Sequence, residues 1–142
     1  MRRLRRSRRL LAGFAAAIML LSFAGTTLAV TNHNVNGSVN KNGSWTYYNT
    51  SRCYTGGAYP KLSLSTWAGD NANMYFFIRD SNNNPLGDYT EQAPLAFPIQ
   101  NHDHVYRSFG TFYDAYCFKF AARKDGFWFA SGTEGWTGVT QY

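Results

Sequence analysis

Two closely spaced histidines and a surplus of aromatic side chains are the parts of this chain with the means to do chemistry. In His102-Asp103-His104 a strand would place both imidazoles on one face, and His33 offers a third nitrogen for zinc or copper. The pair follows Pro98 and Asn101 at the edge of a loop, where a shared face is not imposed. Histidine and aspartate in such a loop more commonly serve as solvated side chains. Hydrolysis by acid–base chemistry needs two carboxylates, one of them held protonated in an apolar pocket. The candidates are Asp70, Asp88, Glu91, Asp103, Asp114 and Glu134, and several adjoin Gly or Asn, where acids shape turns. There is no Gly-x-Ser-x-Gly elbow and no spare cysteine beside a histidine. An enzyme is therefore the third reading of this chain, leaning to none, with no catalytic residue and no cofactor assigned.

The aromatics point to binding. Tyr47 and Tyr48 are adjacent, so on a strand one of them faces away from the core, and Tyr75 stands in the same relation to Phe76. Trp128 sits between Phe127 and Phe129, so either the tryptophan or the two phenylalanines point outward. Outward rings are stacking platforms for sugars, and exposed aromatic patches in general mark recognition surfaces. Trp128, Tyr48 and Tyr75 are the expected ligand-binding residues. The competing explanation is that loops such as 91–103 cover the second face and make these rings a second small core.

The elements that must position these residues begin after a leader. Residues 1–9 carry six arginines and no acid, and an almost wholly apolar stretch of about fifteen residues follows, too short for a membrane span. Thr27-Leu28-Ala29 supplies the small residues of a cleavage site, so residues 1–29 are expected to be a signal peptide, with Arg8-Arg9 also suggesting a twin-arginine address. Six of the 14 lysines and arginines lie there, leaving 8 basic against 8 acidic residues in the remainder. The net charge of +6 thus belongs to the leader. Nothing in the remainder suggests a nucleic-acid or anionic-membrane partner, which needs a clustered cationic surface.

Residues 30–142 make one domain by length. Two cysteines in an exported protein imply one disulfide, Cys53–Cys117. The segment Tyr116 to Arg123 alternates, with Tyr116, Phe118, Phe120 and Ala122 on one face and Cys117, Lys119, Ala121 and Arg123 on the other. The disulfide is therefore expected on the outer face or edge of that strand. Further strands are expected at 44–48, 61–67, 73–79 (apolar on both faces, hence central), near 86–90, at 127–130 and at 136–142. Asp80 to Pro85 reads as an Asx-rich turn and Asp125-Gly126 as a tight hairpin. Residues 30–43 are Asn-, Gly- and Ser-rich and are expected to be a loose N-terminal segment, with 44–142 the single β domain. The fold expected is an all-β, antiparallel β-sandwich of seven to nine short strands, with a closed β-barrel as the alternative.

Phe118 to Arg123 and the ending Trp136-Thr137-Gly138-Val139-Thr140-Gln141-Tyr142 resemble a loose set of small exported proteins of Gram-positive bacteria. In that set a strand ending Ala-Arg precedes a Trp-Ser/Thr-Gly strand that closes on a tyrosine. The resemblance spans about the last thirty residues and implies a small secreted β fold, with no catalytic residue to transfer. The expectation is a secreted, extracellular, non-enzymatic binding protein whose partner is an extracellular polysaccharide or a foreign protein. A secreted antimicrobial or an enzyme inhibitor, using the proline-bearing segment 91–101 as its one constrained loop, is the alternative. No membrane association is expected once the signal is cleaved.

Overall fold

In the computed structural model, residues 30–54, 59–69, 71–100, 104–110 and 116–142 are described. They form ten strands and no helix: β1 (Asn32–Asn40), β2 (Thr46–Tyr47), β3 (Arg52–Tyr54), β4 (Lys61–Thr66), β5 (Met74–Arg79), β6 (Pro85–Leu86), β7 (Leu95–Phe97), β8 (Arg107–Ser108), β9 (Tyr116–Lys124) and β10 (Thr133–Gln141). All pairings are antiparallel. One sheet runs β1-β10-β4-β8; the other runs β2-β9-β5-β6, with β3 also on β9 and β7 also on β5. Neither closes into a barrel. The strands outnumber the expected seven to nine because five of them have only two or three residues, too short to leave a pattern in the sequence.

The two sheets share one core, as an aromatic-rich, aliphatic-poor composition requires. Val35, Val39, Leu62, Leu64 and Trp136 from the first sheet meet Met74, Phe76, Ile78, Phe118 and Phe120 from the second. Phe76 packs edge-on against Trp136 with ring centroids 4.9 Å apart. The alternation of β9 is as expected: Phe118, Phe120 and Ala122 are buried, and Cys117 faces out. Cys53 and Cys117 are directly opposed in the β3–β9 pair and bonded on the outer surface, with Cα atoms 4.0 Å apart. β5 lies between β9 and the β6/β7 edge, as its two apolar faces demand. Asp80 closes the following turn: its carboxylate accepts from the backbone N–H groups of Asn82 and Asn84, and Asn83 takes a left-handed φ of 70°.

Four local expectations are corrected. Residues 32–40 are not loose: they pair with β10 over nine residues, because Val35 and Val39 can be buried only against that partner. Asp125-Gly126 is not a hairpin turn. β9 and β10 belong to different sheets, so residues 125–132 cross the sandwich, and Gly126 does not take a positive φ. Residues 127–130 are not a returning strand but a turn on that crossing, closed by the Ala130 N–H on the Phe127 carbonyl at 2.8 Å. The return after Asn84 is limited to Pro85–Leu86, since Gly87 turns the chain with φ 74°.

Candidate functional site

The crossing carries the most exposed aromatic group of the described residues. Phe127, Trp128 and Phe129 are 70%, 87% and 71% exposed, so the choice between tryptophan outward and phenylalanines outward does not arise: all three are out. Phe127 and Phe129 stack at 5.6 Å with planes 23° apart, and Trp128 stands edge-on to Phe129 at 5.7 Å. The feet of the loop are held. Asp125 donates its N–H to Asn73 O, Asn73 Nδ2 donates to the Asp125 carboxylate at 2.6 Å, and Lys41 donates its N–H to Gly132 O at 3.0 Å. Gly126 lies flat on the backbone of residues 41–43, with no room there for a side chain.

A cleft of about 380 Å³ opens beside this tip, lined among others by Lys41, Asn71, Lys124, Phe127, Ala130 and Glu134. Glu134 is hydrogen-bonded by Lys124 and lies 3.6 Å from Lys41. The hydrogen bond from Lys124, and then the charges of both lysines, hold its carboxyl below the ordinary range. Asp80 is likewise held low by its bonds to Asn84 and Asn82. Both shifts favour the ionised form, the opposite of what a general acid needs.

A second aromatic surface lies on the outer face of the six-stranded sheet. Arg123 spreads over Tyr75 at 4.3 Å and over Trp45 at 5.4 Å. Trp45 and Tyr47 both set their edges against Phe77, and Arg79 lies 4.9 Å over Tyr47. This layer covers Ala121, which is why β9 is buried on its second face at that point. A cleft of about 430 Å³ is lined by Tyr47, Phe77, Arg79, Asn83, Glu91 and Gln92. Burial, and then the neighbouring carboxylates of Glu91 and Asp125 respectively, raise the phenols of Tyr47 and Tyr75.

The expected binding residues separate. Trp128 is the most exposed ring of the tip, and Tyr75 is on the outer sheet face beneath Arg123. Tyr48 is corrected: it turns inward, packs on the core, accepts a hydrogen bond from Trp136 Nε1 and donates to Ser38 O. Its neighbour Tyr47, 44% exposed, takes the outward place. Adjacency showed that one of the two must face out; the pairing of Tyr47 with Ala121 decides which. Phe127 and Phe129 stood only as the alternative to an outward Trp128, Arg123 was on the outer face of its strand with no binding role, and Trp45 was missed as a surface group.

The histidines do not converge among the described residues. His33 on β1 stacks on Tyr142 at 4.4 Å, and His104, with φ 51°, has Nδ1 against Leu64 O. His102 lies outside the described residues, as do Asp70, Asp103 and Asp114. Among the described residues no group of three His, Cys, Asp or Glu side chains is placed to hold a metal. The middle of the 91–101 segment is β7, with Leu95 and Phe97 buried against β5, so it is held as a strand rather than displayed as a loop. No described helix is long and apolar enough to cross a membrane.

No protein-family model matches the chain, and no curated protein or solved structure matches it at significance.

Proposed function

We propose that this chain is an exported, non-enzymatic binding protein that takes an extracellular polysaccharide against the Phe127-Trp128-Phe129 tip. The observation that carries this is the exposure of three consecutive rings on a loop whose two feet are hydrogen-bonded in place. Leaving a large side chain in water forgoes about 1.5–3 kcal/mol of burial, so a fold built on aromatics has a reason to keep three of them out. A sugar ring offers apolar C–H faces and hydroxyl edges. The rings of the tip suit the first, and Asn71, Lys41 and Glu134 in the adjoining cleft suit the second. A loop already held in shape loses little freedom on binding. Export follows from the leader at residues 1–29, and the disulfide suits an oxidising, extracellular setting.

The test is retention of the disulfide-bonded protein on insoluble polysaccharides and peptidoglycan, with and without a chelator. Retention on one polymer, lost in Trp128→Ala and unaffected by the chelator, supports the reading. Trp128 contributes little to the core, so its variant should unfold within about 0.5 kcal/mol of the parent. Absence of retention on every polymer overturns the polysaccharide assignment and leaves a foreign protein as the partner to seek.

A further inference from the structure

We propose that β1 is a pairing edge and that its occupant is a second copy of this chain, joined antiparallel about a two-fold axis at Asn34. The inference is independent of the polysaccharide reading. In an antiparallel pair, residues alternate between those bonded to the partner strand and those facing away from it. The β1–β10 register is unbroken from Asn32↔Gln141 to Asn40↔Thr133. Thr31 donates its N–H to Tyr142 O and Lys41 donates to Gly132 O. The odd-numbered residues therefore bond β10, and Asn32, Asn34, Asn36, Ser38 and Asn40 turn their N–H and C=O groups to the open side.

Part of that open side is already used. Ser38 O receives the Tyr48 hydroxyl, and Asn40 O receives the Gly43 N–H. Asn32, Asn34 and Asn36 are left, and no described strand pairs with them there. The other edges are blunted. β2, β6 and β8 have two residues each, β3 and β7 three, and β4 next to β8 is covered by His104 through Leu64 O and Ser63 Oγ. β1 runs nine residues without proline, bulge or formal charge, the devices that usually keep an edge solitary.

The pattern is self-complementary, which is what selects a second copy. Two-fold pairing about Asn34 opposes Asn34 to itself and Asn32 to Asn36, and these are the three positions at which no described residue takes up either open-side backbone group. Each such pair exchanges two backbone hydrogen bonds. The side chains on the exposed face are then asparagines opposite asparagines, able to bond amide to amide. The same patch meets itself, as an isologous contact requires. Five residues of edge make a small interface, so the dimer is a weak one.

Sedimentation equilibrium of the disulfide-bonded protein over a wide concentration range tests this. The parent should shift from monomer to dimer as concentration rises. Asn34→Pro should abolish the shift and keep the near-ultraviolet spectrum, because the N–H it removes faces the open edge and not β10. Asn34→Cys should cross-link into dimers on oxidation at least roughly tenfold faster than a cysteine at the exposed Ser131, as a held pair should over chance encounter. A parent that stays monomeric at its solubility limit overturns the proposal. So does a dimer that persists in Asn34→Pro, or one that Trp128→Ala dissolves in its place.

Discussion

The indole N–H of Trp136 donates to the hydroxyl of Tyr48 at 2.8 Å, and the same hydroxyl donates to Ser38 O at 2.7 Å. Trp136 is in β10 of one sheet, whereas Tyr48 follows β2 of the other and is bonded to Phe120 O through its N–H. One phenol thus ties the two layers together at the β1 edge. Tyr48→Phe keeps the ring but leaves the buried indole N–H without its acceptor, and should cost about 1–3 kcal/mol in urea unfolding.

The same phenol sets an alkaline limit. Burial raises its ionisation above the ordinary value of 10.0. The unfolded chain ionises first, so stability is whole below pH 10 and falls as pH rises through the window between the unfolded and folded values. Stability of Tyr48→Phe should decline less steeply across that window; an identical alkaline slope in both proteins would assign the loss to other groups.

Gly126→Ala should be among the most damaging single-methyl additions. The added Cβ falls inside the contact distance of Gly43 N and Lys41 O, both backbone atoms that cannot step aside. A loss of roughly 2 kcal/mol or more is expected. At Gly132, φ is +90° but nothing lies within 4 Å of the added carbon, so Gly132→Ala should show only backbone strain of about 1 kcal/mol. Equal unfolding midpoints for the two variants would contradict the contact seen at Gly126.

Cys53 and Cys117 are both at the surface, so replacing them opens no cavity. Cys53→Ser with Cys117→Ser should lower stability by about 4 kcal/mol from the freed entropy of the 64-residue loop. A much larger loss, with near-ultraviolet signals gone, would show that β3 alone cannot stay on β9.

Glu134 shapes the acid side together with Asp80. Its carboxyl is held below the model-compound value of 4.5, so its contribution is present above that value and drains away as pH falls through the lower, folded one. Glu134→Gln should lower stability at neutral pH and flatten the acid limb of the pH profile, measured by thermal unfolding.

Much of this architecture was legible in the residues. The alternation of β9, the doubly apolar β5 and the Asp80 turn depend on local pattern and local hydrogen bonds, and each stands where expected; in β4 Leu62 and Leu64 are buried, but so is Ser63, which bonds His104 O. The pair Cys53–Cys117 follows from there being only two cysteines. β1 was not legible, because its asparagines and glycine favour turns and only β10 turns Val35 and Val39 into core residues. Phe127 to Phe129 misled for the opposite reason. Their propensity is for strand, but the flanking strands go to different sheets, and residues between them must cross rather than pair. Tyr48 was assigned to the wrong side because adjacency fixes opposition between neighbours and not which of them faces in.

The ring closed by Cys53–Cys117 encloses β4 to β8 and leaves β1 and β10 outside it. These two strands leave the fold from one end, where Thr31 meets Tyr142 and Asn32 meets Gln141. A tension applied between residues 30 and 142 therefore loads the rungs one after another, as in opening a zipper, and not all together as in shear. The β1–β10 seam would part at low force, while the covalent loop behind it bears none of the load.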